Sequence, residues 1–181
     1  MQLDVWRDVI PLRDSKMPTI ELITQQNAMK LKDVRLRALQ DAPTAFSSTY
    51  AEEFQLTDAE WLKRAARWTD ETSIAYLAVD ADSACGIAAG FLDKNDATRA
   101  HLISMWVAPT HRRRGIGREL VDKIVDWARL KSARTLMLLV TSNNHPAIGF
   151  YQQLGFRMTG WTEPYANDSA LSNLAMIRSI S

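Results

Sequence analysis

Only one cysteine, Cys85, occurs in 181 residues. An internal disulfide and a cysteine-built metal cluster are therefore excluded. His101, His111 and His145 show no ligand spacing, so no metal is expected. Long apolar runs are missing too: the longest, near Ala84 to Leu92, falls far short of the roughly 20 residues a membrane-spanning helix needs. Met1 to Lys16 lacks the apolar centre of a signal sequence. Neither sign of charge dominates, since 22 Lys and Arg stand against 21 Asp and Glu. Without a global field, neither nucleic acid nor an anionic membrane is expected as a partner. These absences leave a cytoplasmic location as the expectation. The length suits one domain with a sizeable core, as a monomer or homodimer.

What is present is concentrated. Arg112-Arg113-Arg114-Gly115-Ile116-Gly117 follows a strand-like run ending Met105-Trp106-Val107 and opens a helix-like run from Arg118 to about Lys131. Glycine allows close backbone approach and φ angles that other residues resist. A helix start offers unpaired N–H groups and partial positive charge. With Arg112, Arg113, Arg114 and Arg118 around it, the turn reads as a site for a pyrophosphate-bearing ligand. It is not a dinucleotide fingerprint, whose third glycine would fall at Leu120, and no Gly-x4-Gly-Lys-Ser/Thr run exists.

The remaining pattern predicts a strand at Thr19 to Thr24 and a helix over Gln26 to Gln40, with Met29, Val34, Leu36 and Leu39 among its apolar positions. Thr57-x-x-Glu60 is a capping box that starts a helix to about Trp68. Ser73 to Val79 and Ala84 to Phe91 read as strands joined by a turn at Asp80 to Ser83. A strand from about Arg99 to Val107 follows. Ile116, Leu120, Ile124, Trp127 and Ala128 make one stripe of the next helix. Thr135 to Thr141 reads as a strand covered on both faces, Pro146 to Leu154 as a short helix ended by Gly155, and Phe156 to Thr162 and Leu171 to Ile177 as the last strands. The order is a meander followed by a crossover, which makes a mixed sheet flanked by helices.

A second motif lies one helix and one strand beyond the first. Asn144, Ala147, Tyr151, Gly155 and Phe156 match Asn-x-x-Ala-x-x-x-Tyr-x-x-x-Gly-Phe, and Arg112-x-x-Gly115-x-Gly117 matches Arg/Gln-x-x-Gly-x-Gly. Together they resemble the GNAT superfamily of acyl-CoA N-acyltransferases, over about Thr19 to Ile177. Pro43 to Phe46 and Trp61 add to the likeness. The resemblance implies an α/β (α+β) GNAT fold: about seven strands, about four helices, and a V-shaped splay between the fourth and fifth strands. Residues 19–181 form the domain and 1–18 an extension.

The resemblance also implies roles. Acetyl-CoA would be the co-substrate, its pantetheine arm on the main chain of Met105, Trp106 and Val107. Its pyrophosphate would lie against Arg112, Arg113, Arg114, Gly115, Ile116, Gly117 and Arg118, and Asn144 would bond the arm or cap its helix. Tyr151 would be the general acid that protonates the leaving thiolate. Many members carry a glutamate where this chain has His101, which makes His101 a possible general base. Alternation would place it with Ile103, Met105 and Val107. For the acceptor, a small-molecule or peptide amine, Phe46, Tyr50 and Glu53 combine aromatics with a carboxylate that could hold a cation. The alternative to an N-acetyltransferase is a non-catalytic acyl-CoA sensor or interaction module of the same fold.

Overall fold

The computed structural model describes residues 17–181. Residues 1–16 of the expected extension lie outside the described residues. Seven strands form one sheet: β1 (Thr19–Leu22), β2 (Ser73–Asp80), β3 (Ser83–Leu92), β4 (Arg99–Val107), β5 (Thr135–Thr141), β6 (Arg157–Pro164) and β7 (Ser172–Ser179). Their spatial order is β1-β2-β3-β4-β5-β7-β6. Every pairing is antiparallel except β4 with β5, as a meander joined to a crossover requires. The expected mixed sheet is therefore the one found.

Five helices accompany it: α1 (Ala28–Asp41), α2 (Tyr50–Phe54), α3 (Asp58–Arg67), α4 (Ile116–Leu130) and α5 (His145–Gln153). The α4 stripe is buried as the period predicts, from Ile116 to Ala128. In α1 the buried face is Ala28, Leu31, Val34, Ala38 and Leu39. Met29, expected among the apolar positions, is instead 44% exposed. A 3-10 turn over Gln25–Asn27 precedes the helix, so α1 starts two residues later than the pattern suggests.

α2 is an addition to the sequence reading. Thr49 caps it: its side chain accepts from the Glu52 N–H, and Glu52 accepts from the Thr49 N–H at 2.8 Å. Phe46 and Tyr50 do not act as one face. Phe46 is buried in the core, while Tyr50 stacks on an exposed Phe54. The loop after β6 is pinned rather than free: the Tyr165 hydroxyl donates to the Phe46 carbonyl at 2.7 Å, and Asn167 donates to the Ser47 carbonyl at 3.2 Å.

Candidate active site

The parallel pair that the fold allows is short. Arg99 to His101 of β4 match Thr135 to Met137 of β5, and the register stops there. Beyond His101 the two strands come apart, as the V-shaped splay requires. A cleft of about 840 Å³ opens between the end of β4, the arginine-glycine turn and α5. Met105, Trp106, Val107, Arg112, Arg113, Gly115, Gly117, Arg118, Asn144 and Tyr151 line it, so residues some 40 positions apart in sequence are brought to one surface. Two of the predicted contacts stand apart. Ile116 turns its side chain into the core, and Arg114 does not reach the cleft wall.

The turn itself is shaped for an anion. Arg113 at φ 63 and Gly115 at φ 85 are left-handed, which directs successive N–H groups to one side. Among the described residues, no main-chain N–H from Arg113 to Arg118 donates to a protein acceptor. No side chain caps α4 either, so its dipole end is free. Gly115 is required for its conformation rather than for space: a Cβ there would meet nothing closer than 4.0 Å. Gly117 is required for space, because its Cβ would sit 3.0 Å from Phe150 and 3.3 Å from Met105. A pyrophosphate fits this donor-rich turn.

The strand edge offers the same kind of contact. The Ala108 N–H donates to the Cys85 carbonyl at 2.8 Å, so alternation turns the polar groups of Val107 away from β3 and toward the splay. One of them is occupied by the chain itself. Arg112 Nε donates to the Val107 carbonyl at 2.9 Å, and its Nη2 pairs with Asp41. The guanidinium expected to meet the ligand is thus anchored to β4 and to the end of α1. Asp41 also accepts from the Trp106 indole N–H at 2.9 Å. Sequence reasoning missed Asp41, which has no local signature.

Tyr151 lies on the inner face of α5, 8% exposed, with Phe150 and Phe156 rings at 5.3 and 5.7 Å. Burial raises its phenol well above the ordinary tyrosine value, so it holds its proton throughout the neutral range. No protein group accepts that proton among the described residues, and the residue faces the cleft. Asn144 caps α5: its Oδ1 accepts from the Ala147 N–H at 3.2 Å.

A bulge changes the expected alternation of β4. Ile87 to Ala89 of β3 spans two steps, whereas the matching Trp106 to Ile103 spans three, and Ser104 takes up the extra residue at φ 54. His101 and Ile103 therefore share a face with Trp106, and Met105 and Val107 lie on the other. His101 lines neither cavity. Its Nε2 is 2.9 Å from Asp93 Oδ2, and its ring stacks on Phe91 at 4.7 Å. The hydrogen bond to His101 is the main reason the Asp93 carboxyl stays below its usual value.

On that face lies a second cavity of about 1000 Å³, walled by α1, α3 and the sheet, with Ile103 and Ser104 in its lining. Glu53 stands in it, 2% exposed, but its carboxylate is already spent. Arg35 Nε and Nη2 donate to it at 3.1–3.3 Å, Ser48 Oγ at 2.6 Å and Arg64 Nη1 at 2.8 Å. A carboxylate with two guanidinium partners is not free to hold a cationic amine, which corrects the expected role of Glu53. Phe46 sits under the Arg35 guanidinium at 4.5 Å, and Tyr50 does not line the cavity. Among the described residues, no cluster of His, Cys, Asp and Glu could hold a metal, and no helix is long and apolar enough to cross a membrane.

Among the described residues, a mixed sheet whose one parallel pair parts beside an uncapped, glycine-bearing helix start defines the GNAT class of fold. The chain belongs to the acetyltransferase (GNAT) family, whose profile matches residues 36–156. It is 39% identical over 98 residues to streptothricin acetyltransferase of Streptomyces lavendulae, a match covering 52% of this chain and 50% of that one. The chain thus spans about half the length of this curated relative. Two solved structures share the fold. The acetyltransferase of the GNAT family from Streptococcus pneumoniae superposes with a TM-score of 0.78 at 20% identity, covering 92% of this chain and all of that one. yncA of Salmonella typhimurium, solved with its cofactor acetyl-CoA, gives 0.75 at 17% identity, covering 92% and 95%.

Proposed function

We propose that the chain is an N-acetyltransferase that moves an acetyl group from acetyl-CoA to a primary amine by direct attack in a ternary complex. The observation that carries this reading is the parting of β4 and β5 next to six unpaired main-chain N–H groups, with Tyr151 facing the same cleft. Acetyl-CoA supplies an activated thioester. The N–H groups from Arg113 to Arg118 bind its pyrophosphate, with Arg113 and Arg118 adding charge. The edge of β4 at Val107 takes its extended arm as an added strand.

The two faces of β4 divide the work. Met105 and Val107 belong to the acetyl-CoA side, and Ile103 and Ser104 to the second cavity, from which the amine arrives. The amine nitrogen forms its bond to the carbonyl carbon as the carbon–sulfur bond breaks, and Tyr151 gives its proton to the departing sulfur. The raised phenol suits this step, because the group must be protonated before the sulfur becomes basic. The amine must first lose its own proton. Asp93 stands on the rim of the second cavity and its carboxylate takes that proton, with His101 Nε2 hydrogen-bonded behind it at 2.9 Å.

Streptothricin acetyltransferase supports an amine acceptor in general. Thiol release from acetyl-CoA, measured with polyamines, amino acids, aminoglycosides and protein N-termini, tests the reading. Turnover with at least one class is expected. Acetyl-CoA binding with no turnover on any of them would instead make the chain a sensor of the same fold.

A further inference from the structure

β4 and β5 stop pairing at His101 and Met137, yet the segment that follows α1 is tied to both of their far ends. On the β4 side Asp41, the last residue of α1, accepts the Trp106 indole N–H at 2.9 Å. It also pairs with Arg112, whose Nε donates to the Val107 carbonyl at 2.9 Å. On the other side, side chains donate to carbonyls of the same segment. Thr141, at the end of β5, donates to Thr44 at 2.8 Å, Tyr165 to Phe46 at 2.7 Å and Asn167 to Ser47 at 3.2 Å. These donors lie 97 to 120 positions away in sequence, so tertiary structure rather than local preference fixes the path of the segment. Asp41 to Ser47 therefore crosses the mouth of the splay.

The crossing segment faces both cavities. Asp41, Ala42 and Ala45 line the acetyl-CoA cleft, while Ser47 and Ser48 line the second cavity. β4 changes sides in the same way: Met105 lines the first cavity and its neighbour Ser104 the second. The two anchors differ in kind. Thr141 and Tyr165 are buried, and their bonds to main-chain carbonyls are between neutral groups. Asp41 and Arg112 are charged and partly exposed on the cleft wall. The neutral anchor fixes the segment to the body of the sheet, and the charged one holds it to the β4 edge.

We propose that Asp41 to Ser47 is a strap that sets the passage between the two cavities, and that Asp41 and Tyr165 are positioning residues which hold its two ends. This rests on the N-acetyltransferase reading. Neither residue gives or takes a proton in the reaction; each acts through the strap. With both ends held, Ala45 and Met105 bound the thioester side of the passage, and Ser47 and Ser104 the amine side. The nitrogen then meets the carbonyl carbon in a fixed alignment. With either end released the strap shifts and that alignment loosens. A misplacement of about 1 Å can cost about a hundredfold in rate, so a partial release should cost about tenfold.

A double-mutant cycle tests the strap. Tyr165→Phe removes the hydroxyl and keeps the ring, and Asp41→Ala removes the carboxylate. Thiol release is followed with spermidine, leucine, an aminoglycoside and a peptide with a free N-terminus. The amine that the parent turns over fastest is carried through the cycle. Each single variant should lower kcat/KM for that amine about tenfold. The double variant should also stand about tenfold below the parent, because one released end already frees the strap, whereas two independent local effects would multiply to about a hundredfold. Acetyl-CoA affinity in Tyr165→Phe, read by calorimetry, should stay within about twofold. If that variant does not fold, Thr141→Val, which exchanges a hydroxyl for a methyl group, takes its place in the cycle. A double variant about a hundredfold down, single variants at the parent's kcat/KM, or acetyl-CoA affinity lost in step with kcat/KM in Tyr165→Phe would overturn the strap and leave the acetyltransferase reading standing. No turnover of any amine by parent protein that binds acetyl-CoA would overturn both.

Discussion

Around the arginine-glycine turn the groups on offer are main-chain N–H bonds and a strand edge, whereas the second cavity is walled by side chains drawn from α1, α2, α3, β3 and β4. The first surface depends on backbone shape: a left-handed Gly115, a close-packed Gly117 and an uncapped helix start. The second depends on charge held away from water, with Glu53 at 2% and Arg35 at 11% side-chain exposure. A main-chain surface recognises what all members of a family share and tolerates change in its side chains. A side-chain surface can be rewritten residue by residue, and under the proposed function it is the one that distinguishes one amine from another.

That contrast is open to attack by substitution. Glu53→Gln leaves two guanidinium groups without their partner, and breaking a buried pair costs about 3–5 kcal/mol. Urea denaturation should show a loss of that size, and acetyl-CoA affinity in the folded variant should stay within about twofold. A large fall in that affinity would mean that the two regions are not separable. The same carboxylate predicts a pH dependence. Burial pushes Glu53 up, but Arg35, Ser48 and Arg64 outweigh it and hold the group below the ordinary glutamate value. Its contribution is therefore complete above the ordinary value of 4.5 and is lost as pH falls below it, since the unfolded chain binds the proton first. Denaturation midpoints between neutral pH and about pH 3 should fall less steeply in Glu53→Gln than in the parent.

Smaller effects belong to the first surface. Tyr151→Phe should lower kcat about a hundredfold with acetyl-CoA affinity unchanged, and full activity across pH would remove the proton-donor role. Gly115→Glu forces a side chain into the left-handed region, at about 1–2 kcal/mol, and adds negative charge beside the anion turn. Calorimetry should find acetyl-CoA binding weaker by at least about tenfold. Asn144→Ala removes the cap of α5 and should cost about 1 kcal/mol of stability, read by thermal unfolding.

The same division explains what could be read from the sequence. The anion turn was legible because glycines, arginines and a change of period fall within a few residues. The place of Tyr151 in the fold was legible because its motif, from Asn144 to Phe156, brackets one short helix. Glu53 misled because its partner Arg35 lies 18 positions away, and nothing local announces that the carboxylate is taken. Five residues are too few for α2 to show a helical period. Its Thr49-x-x-Glu52 box, evident in the structure, was not read as a helix start. The bulge in β4 left no mark at all, because Ser104 adopts its left-handed φ without being a glycine.

That one inserted residue acts on β4 as an inserted letter acts on a message read in pairs. Before Ser104, odd positions speak to the helices α1 and α3; after it, the even ones do, which is how Trp106 comes to meet Asp41. A strand of the same residues in unbroken alternation, without the bulge at Ser104, would keep one frame throughout. Its Trp106 would then turn to the α4 side and its Val107 to the α1 side, and the two halves of the proposed reaction would no longer be spelled out on opposite faces of one strand.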